Sequence, residues 1–215
     1  MKQSCSNNII TKLTFILLSL SLLTSCQEGY KKENDQWVWI SYDEAVGKRV
    51  ANVKSADLKT FKVLKNKNYA VDKNYVYYRT QKIKNSNPKT FSVLTDNGYS
   101  KDDKKVFLDW HEIVNANPKS FELLSFPYSK DDNDVFCGTL PLHLSKDEIN
   151  EFRVINMSTA RSTILLSHFI EQNPGFNWLD TLNIDGVIVN EIATAKTEKR
   201  NFKGYREIII HNEKQ

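Results

Sequence analysis

The side chains able to do chemistry are few, and their spacing does little for them. His111, His143, His168 and His211 include no pair three to five residues apart, the spacing at which one element offers two imidazoles to zinc. Asp131, Asp132, Asn133 and Asp134 crowd oxygen ligands together. The alternating aspartates, the glycine and the twelfth-position glutamate of a calcium loop are missing, so the stretch reads as a hydrated turn. Ser167 directly precedes His168, and neighbours on a helix point to different sides; no Gly-x-Ser-x-Gly elbow exists. Glu148 and Glu151 are three apart on one helical turn, where acids sit on a solvated face rather than opposing each other across a cleft. The residues therefore point to no catalytic group, no metal and no cofactor. One enzymatic alternative stays open, a hydrolase pairing Asp or Glu with His143 or His168.

The elements that hold these residues are set by an internal repeat. Phe61, Phe91 and Phe121 fall 30 residues apart, and each opens a copy of one passage, as units do that bury their apolar faces against neighbours. Ahead of each phenylalanine stand Val53, Ile83 and Ile113, then Asp57, Asn87 and Asn117; after it come Val63-Leu64, Val93-Leu94 and Leu123-Leu124. Tyr69, Tyr99 and Tyr128 follow, then Asp72, Asp102 and Asp131, then Val76-Tyr77, Val106-Phe107 and Val135-Phe136. Asn87-Pro88 and Asn117-Pro118 place a side-chain acceptor at N-cap and proline at the first helical position, which predicts about one helical turn before a short strand. Asp72-Lys73-Asn74 and its two counterparts are tight-turn residues between aromatic, β-branched runs, so a hairpin is expected in every copy. The three phenylalanines are expected to be buried. Trp37-Val38-Trp39 closes a half-copy at the front, and a decayed fourth copy runs from near Leu142 to Phe152-Arg153-Val154-Ile155, with Ser145 and Glu148 as a capping box. At such boundaries Trp37, Trp39, Trp110 and Trp178 are core residues before they are sugar platforms.

Asp72-Lys73-Asn74-Tyr75-Val76-Tyr77-Tyr78 resembles the motif that names the DKNYY family of bacterial proteins, and the recurring Tyr-x-x-Asp, Val-aromatic and Asn-Pro-x-x-Phe segments fit that resemblance over residues 37–155. Copies two and three depart from it, with Asp103-Lys104-Lys105 and Asp132-Asn133-Asp134 in place of Lys-Asn-Tyr; the turn character stays and the aromatic is lost. The resemblance implies a repeat architecture and no established activity. Asp72, Lys73, Asn74, Tyr75, Tyr77, Tyr78, Phe61, Phe91 and Phe121 are accordingly read as structural.

The N-terminus carries a second signal. Lys2 and Lys12 are basic, residues 13–23 are an apolar run of 11, too short to span a bilayer, and Leu23-Thr24-Ser25-Cys26 resembles the lipobox of bacterial lipoproteins. By that resemblance residues 1–25 are removed and Cys26 is acylated, and two or three acyl chains hold a protein on a membrane where one is marginal. Residues 26–36 then read as a polar tether, the folded part lies outside the cytoplasm, and the compartment is the cell envelope. Cys5 leaves with the leader, so Cys137 is a lone thiol, at a repeat position shared with Tyr78 and Leu108 where packing residues stand. Without Lys2 and Lys12, 28 basic residues face 26 acids. A net charge near +2 with alternating signs argues against nucleic acid.

Past residue 157 the repeat is expected to stop. Ser158 is placed as the cap of a helix towards Gln172, Val187-Ile188-Val189 and Ile208-Ile209-Ile210 as short buried strands, and Lys196 to Lys203 as a basic loop. The fold class is mainly β: hairpin repeats of about 30 residues with short N-capped helical turns over 37–157, followed by a smaller α+β segment over 158–215. That segment is expected to cap the open end of the array. The functional expectation is a non-enzymatic binding module, anchored to the membrane by its lipid, with an envelope protein or glycan as partner.

Overall fold

Each copy of the repeat folds as a small antiparallel meander, because its apolar runs are too short for long strands and its turn residues recur every few positions. The structure, a computed structural model, describes residues 28–209; the leader, Cys26, Ile210 and His211 lie outside the described residues. Unit one comprises β4–β7 (Lys62–Val63, Tyr69–Val71, Val76–Tyr78, Gln81–Lys82). Unit two comprises β8–β11 (Ser92–Val93, Tyr99–Lys101, Val106–Leu108, His111–Glu112), and unit three β12–β15 (Glu122–Leu123, Tyr128–Lys130, Val135–Cys137, Leu140–Pro141). Each is one four-stranded sheet with neighbours in chain order. Tyr69 pairs with Tyr78, Tyr99 with Leu108 and Tyr128 with Cys137, so Cys137 is a fully buried packing residue at the repeat position its alignment indicates.

The units stack through their aromatics. The tyrosine of one unit meets the phenylalanine of the next, with ring centroids 5.3 Å apart for Tyr30–Phe61, 5.7 Å for Tyr69–Phe91, 6.1 Å for Tyr99–Phe121 and 5.3 Å for Tyr128–Phe152. Each phenylalanine also packs on an aromatic of its own third strand: Tyr77, Phe107, Phe136 and Phe202. The hydrophobic core is accordingly divided into four clusters, one per junction. Of the three phenylalanines expected to be buried only Phe61 is; Phe91 and Phe121 are half-buried, since a ring at the rim of a junction is covered from two sides only.

The tyrosine hydroxyls staple the stack. Tyr30 donates to the Asn68 carbonyl at 3.2 Å, Tyr69 to Gly98 at 2.6 Å, Tyr99 to Pro127 at 3.0 Å and Tyr128 to Gly204 at 3.0 Å. At the front, β1 (Gly29–Glu33), β2 (Gln36–Asp43) and β3 (Gly47–Asn52) form a three-stranded sheet. The Val53 N–H donates to Trp37 as Ile83 and Ile113 donate to Val76 and Val106, so Trp37-Val38-Trp39 is the third strand of a half unit. Residues 29–33, expected to be part of a polar tether, are thus a paired strand: Lys31 and Lys32 face Val38 and Trp37, and Tyr30 is fixed in the first junction.

The fourth copy is complete but split. β16 (Arg153–Asn156) pairs with β19 (Thr194–Lys196), which continues into β20 (Asn201–Lys203) and β21 (Arg206–Ile208). A left-handed residue after the third strand donates its N–H to the residue before the second strand in all four units: Arg79 to Asn68, Asp109 to Gly98, Gly138 to Pro127 and Gly204 to Ala193. The repeat therefore resumes where a separate segment and a basic loop over Lys196 to Lys203 are expected. Between β16 and β19 lies an insertion containing β17 (Ser162–Leu165), α2 (Leu166–Gln172), a 3₁₀ segment (Pro174–Thr181) and β18 (Gly186–Val189), while α1 (Lys146–Glu151) precedes β16. The helix expected from Ser158 starts only after Leu165, because residues 162–165 pair with β18. β18 is buried as expected, but Ile208 and Ile209 are exposed, Ile209 at 82%, so the last apolar run is an edge rather than a core strand.

Instead of capping an open end, the insertion runs back along units two and three. Thr139 donates its N–H to the Ile188 carbonyl at 2.9 Å and accepts the Ile188 N–H on its hydroxyl at 2.9 Å. Gly138 permits this approach: a Cβ there would lie 2.1 Å from the Ile188 carbonyl oxygen. Arg161 reaches unit two, donating to the Asn97 carbonyl at 2.8 Å with its Nε 3.5 Å from Asp109.

Candidate functional site

The most repeated polar geometry is at the hairpin tips, where a short turn needs its amides satisfied. One oxygen of Asp72 accepts the N–H groups of Asn74 and Tyr75, both at 2.7 Å; the other accepts the Asp57 N–H at 2.9 Å and the Tyr77 hydroxyl at 2.8 Å. Asp102 repeats this with Lys104, Lys105 and Asn87, and Asp131 with Asn133, Asp134 and Asn117. Burial alone would raise the Asp72 carboxyl; the Asp57 and Asn74 amides and the Tyr77 hydroxyl outweigh it and hold it below its ordinary value. Each aspartate thus ties a hairpin to the turn that opens its unit. The tie is doubled at the surface, where Asp103 accepts from Asn87 and Thr90, and Asp132 from Asn117 and Ser120. In unit one the charges are exchanged, with Lys73 Nζ 2.9 Å from Asp57; this bond leads the effects that hold the Asp57 carboxyl down at about 2.

In the fourth unit Thr197 stands where the aspartate would. Its hydroxyl accepts the N–H groups of Lys199 at 3.2 Å and Arg200 at 3.0 Å. A hydroxyl has no second oxygen for the opening turn, and Glu148 supplies it, accepting the Ser145 N–H at 3.1 Å and hydroxyl at 2.8 Å. The capping box of α1 is the fourth unit's substitute for the turn aspartate.

The model of the DKNYY family matches residues 39–163 and, in a second overlapping match, residues 99–212. This chain belongs to the DKNYY family. The overlap has the form expected of a repeat, and the second match runs through the split unit to its last strand. No curated protein and no solved structure matches the chain. The DKNYY motif itself builds the turn: Asp72 accepts four hydrogen bonds, Lys73 pairs with Asp57, Tyr77 fills the first junction, and Tyr78 stacks on Trp110 with centroids 5.6 Å apart. Tyr75 is exposed, with the Lys82 ammonium 3.7 Å from its ring centre.

The other candidate residues are dispersed. His168 is exposed on α2. His143 is exposed, with Nδ1 3.7 Å from Asp134, but that carboxylate accepts the N–H groups of Val135, His143 and Leu144 and so fixes the chain leaving β15 to the start of β14. Burial raises the Asp134 carboxyl above its ordinary value. His111 is buried under the insertion; burial lowers its pKa, and its Nε2 has no partner. The Cys137 thiol is pushed up to about 12 by burial, which leaves it an inert packing group. Trp37 stacks on Phe61 at 4.6 Å, Trp39 meets Tyr30 at 5.0 Å, and Trp178 meets His143 at 5.4 Å.

Among the described residues, two open grooves bear on the units' junctions. One, of about 470 Å³, lies between the insertion and unit four, with Phe176, Phe202 and Tyr205 below Arg200, Arg206 and His143. Its arginines are engaged, Arg200 with Glu207 at 2.9 Å and Arg206 with Glu191 at 2.8 Å, so the lining is close to neutral. The other, of about 580 Å³, lies between the half unit and unit one. Among the described residues no helix is long and apolar enough to cross a membrane.

Proposed function

We propose that this protein is a non-enzymatic interaction module of the bacterial cell envelope, held on a membrane by lipid at Cys26. The observation that carries the reading is the use made of the repeated polar residues. They tie turns, so that the hairpin tips at Lys73-Asn74, Asp103-Lys104 and Asp132-Asn133 stand exposed, equivalent and rigid along one side of the stack. A regular, preorganised surface loses little entropy on binding, the economy by which repeat proteins recognise extended partners. An envelope protein or a glycan is the partner class, and neither cofactor nor nucleic acid enters. Support for the alternative hydrolase is confined to His143 beside Asp134.

The test is crosslinking in the native envelope, comparing the natural chain, the Cys26→Ser chain and a chain with Asn74, Lys104 and Asn133 each changed to Ser. A partner captured by the first and lost or much reduced with the third supports the reading. Equal capture of every partner by the tip variant would show that the tips are not the presented face.

A further inference from the structure

We infer that the groove between the half unit and unit one is a seat for anionic phospholipid headgroups, which lays the body directly on the bilayer that carries its anchor; this rests on the acylation of Cys26 proposed above. An anchor at Cys26 gives the body little reach. Residues 29–33 of the stretch read as a tether are strand β1, and the chain enters it at Gly29 with the Glu28 carboxylate accepting the Tyr42 N–H at 3.0 Å. Three residues from Cys26 to Gly29 span at most about 11 Å even when fully extended, so an acylated Cys26 leaves no slack for the body to stand off the membrane. Glu28 and Gly29 themselves line the groove, and whatever the groove presents therefore meets the headgroup layer.

The groove also carries the charge to meet an anionic surface. Lys31, Lys48, Lys65 and Lys67 line the groove over a floor that includes Ile40 and Leu64, and all four lysines are exposed. Glu28 is the sole acid among the lining residues; Lys31 also pairs with Glu33 at 3.1 Å. The basic character belongs to the anchor-proximal unit: the positions of Lys65 and Lys67 are held by Thr95 and Asn97 in unit two. Lysines within a Debye length of a surface, about 10 Å at 0.1 M salt, are attracted to anionic lipid, and apolar side chains beside them add contact with the interface. The turn bearing Lys65 and Lys67 joins β4 to β5, whereas Lys73 and Asn74 join β5 to β6 at the opposite end of β5. Seating the groove on the bilayer thus points the hairpin tips away from it.

The experiment uses the acylated protein isolated from its envelope and placed in detergent, in neutral phosphatidylcholine vesicles and in vesicles with about one third phosphatidylglycerol. Lysine labelling rates are read by mass spectrometry, and the same spectra give the mass of the N-terminal peptide. Seating predicts that Lys31, Lys48, Lys65 and Lys67 label at least about threefold more slowly in the anionic vesicles than in detergent, with the difference lost near 1 M salt, where the screening length is about 3 Å. Lys104 and Lys119, on the tip side of units two and three, should label equally in all three. An acylated Cys26 with the four lysines labelled as fast in anionic vesicles as in detergent overturns the seating and leaves the anchor standing. An unacylated Cys26 overturns the anchor and the seating with it. Protection seen in native envelope but not in vesicles would assign the groove to a protein or glycan instead.

Discussion

Asp72 shows what a single carboxylate does in this protein. Four donors converge on it, three of them backbone amides. Asp72→Ala leaves the three partly buried amides without acceptors, while the Tyr77 hydroxyl keeps the Ser55 carbonyl at 3.1 Å, and should cost about 1–3 kcal/mol in urea unfolding; a loss under about 0.5 kcal/mol would mean that water replaces the carboxylate. His111 makes the opposite case, a group kept neutral. Its imidazole is buried against the insertion, and the desolvation that lowers its pKa outweighs the opposing Asp185 charge and the Gly186 backbone; Lys84 holds Asp185 at 2.9 Å, and Lys105 holds Glu112. The folded pKa lies below the ordinary value of about 6.5. Between the two the unfolded chain binds the proton and the folded chain does not, so this contribution is complete above about 6.5 and is lost as pH falls through the folded value. The urea midpoint should therefore drop between about pH 7.5 and about pH 5.5, and His111→Gln should flatten that drop. An identical pH slope in the variant would place the titration elsewhere. The depressed carboxyls of Asp57 and Glu148 act only at lower pH, where the unfolded carboxylates begin to take up protons.

At the scale of the element, the tyrosine staple sets how strongly one meander holds the next. Tyr99 donates across a junction to Pro127 and packs on Phe121 and Phe126. Tyr99→Phe keeps the ring and removes one of two donors from the Pro127 carbonyl, which retains the Gly138 N–H, so about 0.5–1.5 kcal/mol should be lost. Phe91→Ala should cost about 2–3 kcal/mol, less than the 3–5 usual for a fully buried ring such as Phe107, because Phe91 is half-exposed; equal losses at the two positions would contradict the rim placement. These elements were legible in the sequence because the repeat fixes residue type at each position: Tyr69, Asp72 and Val76 recur with their partners, and their spacing alone gives the meander. The fourth unit was legible only as far as its first strand, Phe152-Arg153-Val154-Ile155, for two reasons. Its first and second strands are separated by the insertion from Asn156 to Thr194, which breaks the period, and Thr197 with Glu148 performs by a hydroxyl and a distant carboxylate what Asp72 performs alone. The strand at residues 29–33 was equally invisible. Its sequence is polar, and its place depends on β2 and on the Tyr30 contact with unit one, neither of which is local.

For the whole molecule the question is why the stack ends, since each junction face is built to receive another unit. The faces of units one to three carry a tyrosine, a valine and an apolar third-strand residue: Tyr69, Val76 and Tyr78; Tyr99, Val106 and Leu108; Tyr128, Val135 and Cys137, all buried. In unit four these positions hold Thr194, Asn201 and Lys203, as the pairing of β19 with β20 fixes. The staple is lost, and a lysine stands where a ring or aliphatic chain would enter the next unit, as terminal repeats require for solubility. The conversion is partial: Ile208 occupies the place of Ile83 and Ile113 and is 37% exposed. If this face ends the array by polarity, Thr194→Tyr, Asn201→Val and Lys203→Leu together should make it adhesive. The triple variant should keep the cooperative unfolding of the natural chain but show a sedimentation coefficient that rises with concentration over about 10–100 µM. The association should persist at high salt, because burial of apolar surface rather than charge drives it. A variant that folds and sediments as the natural chain does would mean that the insertion, and not the face of unit four, stops the stack.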